Sequence, residues 1–540
     1  MKIALKIKLV NLNPILMKFK VLITASGLGS RLGNLTRNSN KALVRVGDYA
    51  VLTHIIENYS NDTHFVITLG HFGSLVKQYI EICHPDLNVS FIQVDNYKGE
   101  GSSLLYSILK AKSLLKEPFV FHVSDAITDV KFSNLTSNYI AGFEKGDTSI
   151  YSSYNIDGKN VTSMFKKGEI NPDFIHIGVV FIFNHKEFWE TATEIYNDNK
   201  ELSSLNDVSV INKMIQDGIE FKHQKTKNWF DIGSVKGLIN ARKSFIPKIL
   251  KDVLDKEDEN IYYYNNYIVK FFSNEKITQN RIKRASLISY VVPSIKLSSK
   301  NFYSYKLEKG NLYSKSANIS NFEKFLNFFD EKLWIDKIYN DSELELLCKE
   351  FYIEKTSKRI SDFLSKYKLN DEENVINGIK VPKVSELLKL IPESFFSDNI
   401  KTKIHGDFIL DNCIYQDNKF KMIDWRQDFS GELEFGDLYY DLSKLAHNIV
   451  VNHEIIEKDL YNYNNKNNNI DVDILCKKRL IDCEKILFSW AKEKAFSLKK
   501  IEILRALIWI NMSPLHHQPF DSFLFYFGKY NLFKSLNEKN

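Results

Sequence analysis

Two stretches of the chain hold residue types at spacings that phosphate chemistry uses. The first is Ile404-His405-Gly406-Asp407-Phe408-Ile409-Leu410-Asp411-Asn412, with Ile423-Asp424-Trp425 a short way on. In phosphoryl transfer from ATP, one carboxylate orients and deprotonates the attacking hydroxyl, while an amide oxygen and a second carboxylate carry Mg2+. Asp407, Asn412 and Asp424 fill those three roles in order. Gly436-Asp437-Leu438 and Asp441-Leu442 follow as a helix start whose acids would brace the loop. The second stretch is Leu22-Ile23-Thr24-Ala25-Ser26-Gly27-Leu28-Gly29-Ser30-Arg31-Leu32, an apolar run ending in a glycine loop. Gly27, Leu28, Gly29 and Ser30 offer close backbone approach to phosphate oxygens, and Arg31 adds a cation. A glycine loop alone is weak. Its context strengthens it: Lys41, then Gly99-Glu100-Gly101-Ser102-Ser103, Ser124-Asp125 and Trp229-Phe230-Asp231-Ile232-Gly233.

The elements that must position these residues follow from periodicity. From 20 to about 245, strand-like runs (Lys20–Thr24, Phe65–Leu69, Val89–Val94, Phe119–Val123) alternate with helical ones (Leu52–Tyr59, Ser74–Ile82, Ser103–Leu115). Such alternation predicts an α/β unit whose mainly parallel sheet is covered on both faces, with chemistry at the strands' carboxyl ends. Residues 248–260 are charged and read as a linker. A second unit over 261–540 opens with strand-like Ile261–Phe272 and helical Thr278–Ser286, then becomes mostly helical. Tyr461–Ile470 is Asn-rich and reads as a mobile surface loop.

At 540 residues the chain is too long for one core. Its 44% hydrophobic and 26% charged content are those of a globular protein. A net charge of +6 is too slight to argue for nucleic-acid binding. The five cysteines form no CxxC pair, which points to a reduced, cytoplasmic protein without disulfides or a zinc site. Residues 1–16 are read as an N-terminal extension, with Met17 an alternative start. Lys2, Lys6 and Lys8 break its apolar run, and no segment reaches the roughly 18–20 apolar residues of a membrane-spanning helix.

The ordered motifs over 17–247 resemble the sugar-1-phosphate and phosphocholine nucleotidylyltransferase superfamily. The resemblance implies a Rossmann-like domain in which an acceptor phosphate attacks the α-phosphorus of an NTP and releases pyrophosphate. Gly27, Gly29 and Arg31 would hold the triphosphate, and Lys41 would bridge phosphate groups. Asp125 and Asp231 would carry Mg2+, and Gly101 and Ser102 would sit by the base or ribose. Asp129 is a rival for the same metal, and His176 reads as structural. Ser26 stands where the family has a second Ala, and Asn40 precedes Lys41 where it has Pro. The second departure, with the short domain, resembles the phosphocholine cytidylyltransferase branch and favours CTP as the pyrimidine NTP.

Residues 261–540 resemble the choline/ethanolamine kinase and aminoglycoside phosphotransferase family, which implies a kinase-like α+β domain using ATP. Lys270 would contact the ATP phosphates, while Tyr305 and Leu307 would lie in the hinge that meets adenine. The following helix has Gln279 where an ion-pair Glu is expected, with Glu275 a turn earlier. Trp425, Arg426, Trp509, His516, His517 and Phe520 are acceptor-pocket candidates. Together the resemblances imply an enzyme that phosphorylates a small hydroxyl substrate and couples the phosphate to CMP. The product would be a CDP head group, such as CDP-choline or CDP-ethanolamine, for a surface polysaccharide. A sugar kinase joined to a sugar-1-phosphate nucleotidylyltransferase is one alternative. A nucleotidyltransferase with a non-catalytic kinase-like regulatory module is another.

Overall fold

The computed structural model describes residues 19–132, 135–144, 146–199, 202–250, 256–466 and 468–537. The expected extension 1–16, the start at Met17 and part of the expected linker lie outside these residues. Packing divides the chain into one unit that runs to 274 and includes 297–304, and a second formed by 275–296 and 305–540.

In the first unit, β1 (Lys20–Ala25), β2 (His64–Leu69), β3 (Val89–Gln93) and β4 (Phe119–Val123) are parallel in the order β3-β2-β1-β4. Val21 and Ile23 enter one core and Leu22 the other. Alternate residues of a strand face opposite sides, so VLITA is apolar throughout because both sides are covered. Helices α1 (Val51–Glu57) and α2 (Gly73–Cys83) cover one face; α3 (Leu104–Leu109), α4 (His185–Asp198) and α5 (Asp207–Gln216) cover the other.

Past β4 the mainly parallel expectation fails. β9 (Phe174–Ile182) runs antiparallel to β4 and continues the sheet through β6 (Asn138–Phe143), β10 (Phe221–Lys225), β8 (Asn160–Phe165) and β7 (Ser153–Asp157). The order β3-β2-β1-β4-β9-β6-β10-β8-β7 is therefore a mixed sheet. Two short strands, β5 (Ala126–Thr128) and β11 (Trp229–Asp231), pair antiparallel outside it, with Asp231 opposite Ala126. Helix α6 (Val235–Ser244) follows, capped by Ser234.

The segment after α6 stays in the first unit. The Asp48 carboxylate accepts the backbone N–H groups of Lys248, Ile249 and Leu250. The run expected as one strand is a hairpin of β12 (Glu259–Tyr264) and β13 (Tyr267–Phe272), turning at Asn265 and Asn266 with φ of +46° and +65°. Consecutive positive φ values make a turn whose twist suits a two-residue hairpin, and Asn tolerates them better than most residues. Tyr262 is fully buried, donates to the Leu43 carbonyl at 2.8 Å and meets the Tyr79 ring edge-on at 5.1 Å.

The second unit mixes helices with small sheets. Its motif loop lies between α8 (Ile319–Lys332) and α11 (Leu438–Val450), ahead of α13 (Leu498–Met512) and α14 (Phe520–Asn537) in the chain. Between α8 and α11, α9 (Ser342–Lys349), a π turn at Glu350–Glu354 and α10 (Lys355–Tyr367) form one helical run. Helix α12 is Lys478–Glu493. The Asn-rich stretch expected as a mobile loop pairs instead, Tyr461–Lys466 against Asn469–Ile474. Tyr461 and Tyr463 alternate with asparagines, so one face of that ribbon meets the Phe523 and Tyr526 rings. Cys83, Cys348, Cys413, Cys476 and Cys483 are free thiols. No described helix is long and apolar enough to cross a membrane.

Candidate functional site

In the first unit the glycine loop leaves β1 at its carboxyl end. Gly29 adopts φ +67°, and a Cβ there would lie 3.0 Å from Lys41 Cβ and 3.2 Å from Thr36 Cγ2. Glycine thus supplies both the left-handed turn and the room for Lys41. Asn40, in the place of the expected proline, is fully buried. Its amide donates to the Ala25 and His71 carbonyls and accepts from Ala42 N–H. These bonds tie the segment carrying Lys41 to the ends of β1 and β2. Lys41 Nζ then reaches Asp125 Oδ2 at 2.9 Å.

The short ribbon brings Asp125 and Asp231 together. Ile232 N–H donates to the Asp125 carbonyl at 2.7 Å, and Gly233 N–H to Asp231 Oδ1 at 2.9 Å. A Cβ on Gly233 would lie 2.8 Å from Arg31 Nη2, 2.8 Å from Asp125 Oδ2 and 3.0 Å from Asp231 Oδ1. Arg31, Asp125 and Asp231 therefore converge on one point beside Lys41. Burial pushes the Asp125 carboxyl up, but Lys41 and Arg31 together hold it below its ordinary value. Two carboxylates are hard oxygen donors of the type that could hold Mg2+.

The other expected residues divide. Leu28 and Ser30 are exposed on the loop. Gly101 has φ +79°, Ser102 Oγ donates to the Gly99 carbonyl, and Ser103 caps α3 by accepting Tyr106 N–H. Asp129 is taken up by the turn at 226–228, accepting from Thr226, Lys227 and Asn228. His176 is buried with Nε2 2.7 Å from Asp207 Oδ2, at the start of α5. Tyr151 was not foreseen: its hydroxyl donates to Asp231 Oδ2 at 2.8 Å, and its ring stands edge-on to Trp229. It lies 80 positions from its partner, so no local signal marks it.

In the second unit the motif loop is held from behind by Asp441. Its carboxylate accepts His405 N–H at 2.8 Å, Gly406 N–H at 2.7 Å and Trp334 Nε1 at 3.1 Å. Burial raises Asp441 to about 6 against these bonds. Arg284, buried on α7 (Glu275–Leu287), donates to the Ile404 and Leu433 carbonyls. Asn412 Nδ2 donates to Asp407 Oδ2 at 3.0 Å, and Ile423 N–H donates to the Asn412 carbonyl at 2.8 Å. The Ile423 bond sets Asp424, the next residue, on the segment paired with Asn412; an amide oxygen and a carboxylate oxygen are of the hard type that could hold Mg2+. Lys444, unforeseen, places Nζ 2.7 Å from Asp407 Oδ1. Desolvation opposes ionisation of Asp407, yet Lys444 holds its carboxyl well below the usual range, so it is an acceptor at neutral pH.

Lys270 is buried in the first unit, and its Nζ lies 3.6 Å from Glu259 on the adjacent strand β12. Tyr305 is buried in the second unit with its ring 6.2 Å from Trp425; Leu307 follows the strand Phe302–Lys306. Among the acceptor candidates, Arg426 lines a cavity. Trp425 is core, donating to the Arg281 carbonyl, and Trp509 packs on Phe527.

Residues 20–247 match the nucleotidyl transferase family. The chain is similar to the protein called bifunctional protein GlmU of Methanococcus maripaludis strain C5, 23% identical over 256 residues, covering 46% of this chain and 60% of that protein. The Methanococcus vannielii protein of that name is 22% identical over 260 residues, with the same shares covered. The chain thus spans about 60% of the length of these curated relatives. Solved structures similar to it include an apo UDP-glucose pyrophosphorylase, at TM-score 0.37 and 16% identity, covering 42% of this chain and 98% of that one. Another is the CTP:phosphocholine cytidylyltransferase of Streptococcus pneumoniae, at TM-score 0.36 and 18% identity, covering 42% and 99%. Residues 20–247 form a nucleotidyltransferase domain.

Proposed function

We propose that the first unit transfers a nucleotidyl group from an NTP to a small phosphorylated acceptor, and that the second unit makes that acceptor by phosphorylating an alcohol with ATP. The convergence of Arg31, Asp125 and Asp231 on one point beside Lys41 carries the first half. In that reaction an acceptor phosphate oxygen attacks the α-phosphorus, the bond to the β-phosphate breaks, and pyrophosphate leaves. Arg31 and Lys41 neutralise the triphosphate and orient it, since alignment and charge dominate such a step. Asp125 and Asp231 would hold Mg2+, which when bound neutralises phosphate charge; Tyr151 and Gly233 N–H fix the orientation of Asp231.

In the second unit Asp407 accepts the proton of the attacking hydroxyl as the γ-phosphoryl group moves to it and ADP leaves. Lys444 keeps Asp407 ionised, and Asn412 orients it. Asn412 and Asp424 would hold Mg2+. Tethering the two activities raises the local concentration of the intermediate. The resemblance favours CTP, with a sugar 1-phosphate as the alternative acceptor.

The alternative is a regulatory, non-catalytic second unit. Two assays decide. Pyrophosphate release is measured with four NTPs crossed with phosphorylated alcohols and sugar 1-phosphates. ADP formation is measured with unphosphorylated alcohols and sugars, for wild type and Asp407→Asn. Pyrophosphate from no pairing sinks the first half. ATP binding without acceptor-dependent ADP makes the second unit a regulatory module.

A further inference from the structure

Beside the motif loop of the second unit lies a cavity of about 150 Å³. Phe351, Lys355, Arg359, Arg426, Tyr440 and Lys444 line it, over a floor of apolar side chains from α13. Its lining holds four basic side chains and no Asp or Glu. Among the described residues neither Lys355 nor Arg359 has an ion-pair partner. Lys444 joins the cavity to Asp407 through its 2.7 Å contact.

The Phe351 ring is already occupied by the protein's own basic groups. Lys355 Nζ stands 4.0 Å and the Arg426 guanidinium 4.9 Å from the Phe351 ring centre. Phe351 also stacks on Phe429 at 4.3 Å and meets Tyr440 edge-on at 4.9 Å. A quaternary ammonium needs an aromatic face free of other cations, and here it would meet both repulsion and a covered ring. Burial, with repulsion from Arg426, Lys444 and Arg359, lowers Lys355 to about 6. A half-buried lysine whose ammonium form is so disfavoured is stabilised in that form by an anion. The π turn at Glu350–Glu354 within the helical run carries Phe351, and Lys355 and Arg359 follow at successive turns. Such turns are rare and recur at functional sites.

We infer that the alcohol phosphorylated by the second unit carries an anionic group, a carboxylate or phosphate, which docks on Lys355, Arg359 and Arg426 while its hydroxyl turns toward Asp407. The inference rests on the phosphotransferase reading and replaces the amino-alcohol that the sequence resemblance favours. The cavity has room for about five waters, which fits an acid of roughly three or four carbons.

The test is calorimetric titration of the full chain with D-glycerate, glycerol 3-phosphate, glycerol and choline, none of which needs turnover. At least one anion is expected to bind, and glycerol and choline are not; glycerate against glycerol 3-phosphate separates carboxylate from phosphate. Lys355→Met and Arg359→Glu should each weaken the anion about tenfold or more, for loss of a desolvated charge pair. ATP affinity is the control on both variants, and Arg359, which is partly exposed, serves if Lys355→Met fails to fold. Binding of choline in preference, no binding by either anion, variants that bind like wild type, or parallel loss of ATP affinity would each overturn the inference. Anion binding without ADP formation from any alcohol would instead sink the phosphotransferase reading and leave the anion site standing.

Discussion

Lys355 shows at residue scale how a site can work against the fold. Its ammonium is lowered to about 6 in the folded chain, against 10.5 for an ordinary lysine. Between about pH 6 and 10.5 the unfolded state therefore binds more protons, and stability rises with pH across that window. Lys355→Met removes this dependence. The variant should melt above wild type at pH 7, by a few degrees or more, and the gap should close toward pH 10. Differential scanning calorimetry at both pH values checks this; a variant less stable at pH 7 contradicts it. In the first unit, Lys41→Met should lower pyrophosphate release on the order of 10²–10³-fold, as expected for loss of a preorganised cation. A matched loss of secondary structure by circular dichroism would make Lys41 structural instead.

Elements bring these residues together from distant parts of the chain, and the short β5–β11 ribbon is the clearest case. Asp125 and Asp231 are read from sequence as strand-end acids, but nothing local says that they face each other. Gly233 makes the convergence possible, because any Cβ there meets Arg31, Asp125 and Asp231 within 3.0 Å. Gly233→Ala should cut pyrophosphate release at least tenfold with little change in melting temperature, since the groups displaced are charged side-chain ends rather than core. Activity equal to wild type would mean that the three groups need not converge. At the β12–β13 turn, Asn266→Gly should stabilise by up to about 1 kcal/mol, because glycine adopts positive φ freely. Urea denaturation reads that gain directly, and a lowered midpoint would contradict the turn geometry.

Across the whole molecule, the end of the nucleotidyltransferase domain is a packing question. Family similarity stops at 247, whereas Tyr262, Val269, Phe271 and Phe302 are buried in the same core as Tyr79. A fragment ending at 247 would expose that surface. Burial of an aromatic or aliphatic side chain contributes about 1.5–3 kcal/mol, so the fragment should lose on the order of 5 kcal/mol relative to one ending at 304. Equal urea midpoints for the two fragments would show that the hairpin is dispensable. Two separate active centres also predict that Asp125→Asn abolishes pyrophosphate release while ADP formation continues, and that Asp407→Asn does the reverse. Joint loss in a folded protein would contradict two independent sites.

Sequence by itself determined the α/β class of the first unit, its glycine loop and the acids at its strand ends. These are local: apolar runs with turn residues declare strands, and closely spaced glycines declare a loop with room for close backbone approach. The contact between Asp407 and Asn412 is likewise local, because one loop holds both. Tertiary structure alone decided what converges. Tyr151 reaches Asp231 across 80 positions, and Lys444 meets Asp407 from a buried helix. Sheet order beyond β4 was also invisible, because an antiparallel return and a parallel crossover can join strands of the same composition. The Asn-rich ribbon misled for a related reason: its alternating tyrosines gain a core only once α14 lies against them. Charge in the cavity beside the motif loop belongs to the same class, since Lys355, Arg426 and Lys444 come from three segments and repel one another only when folded.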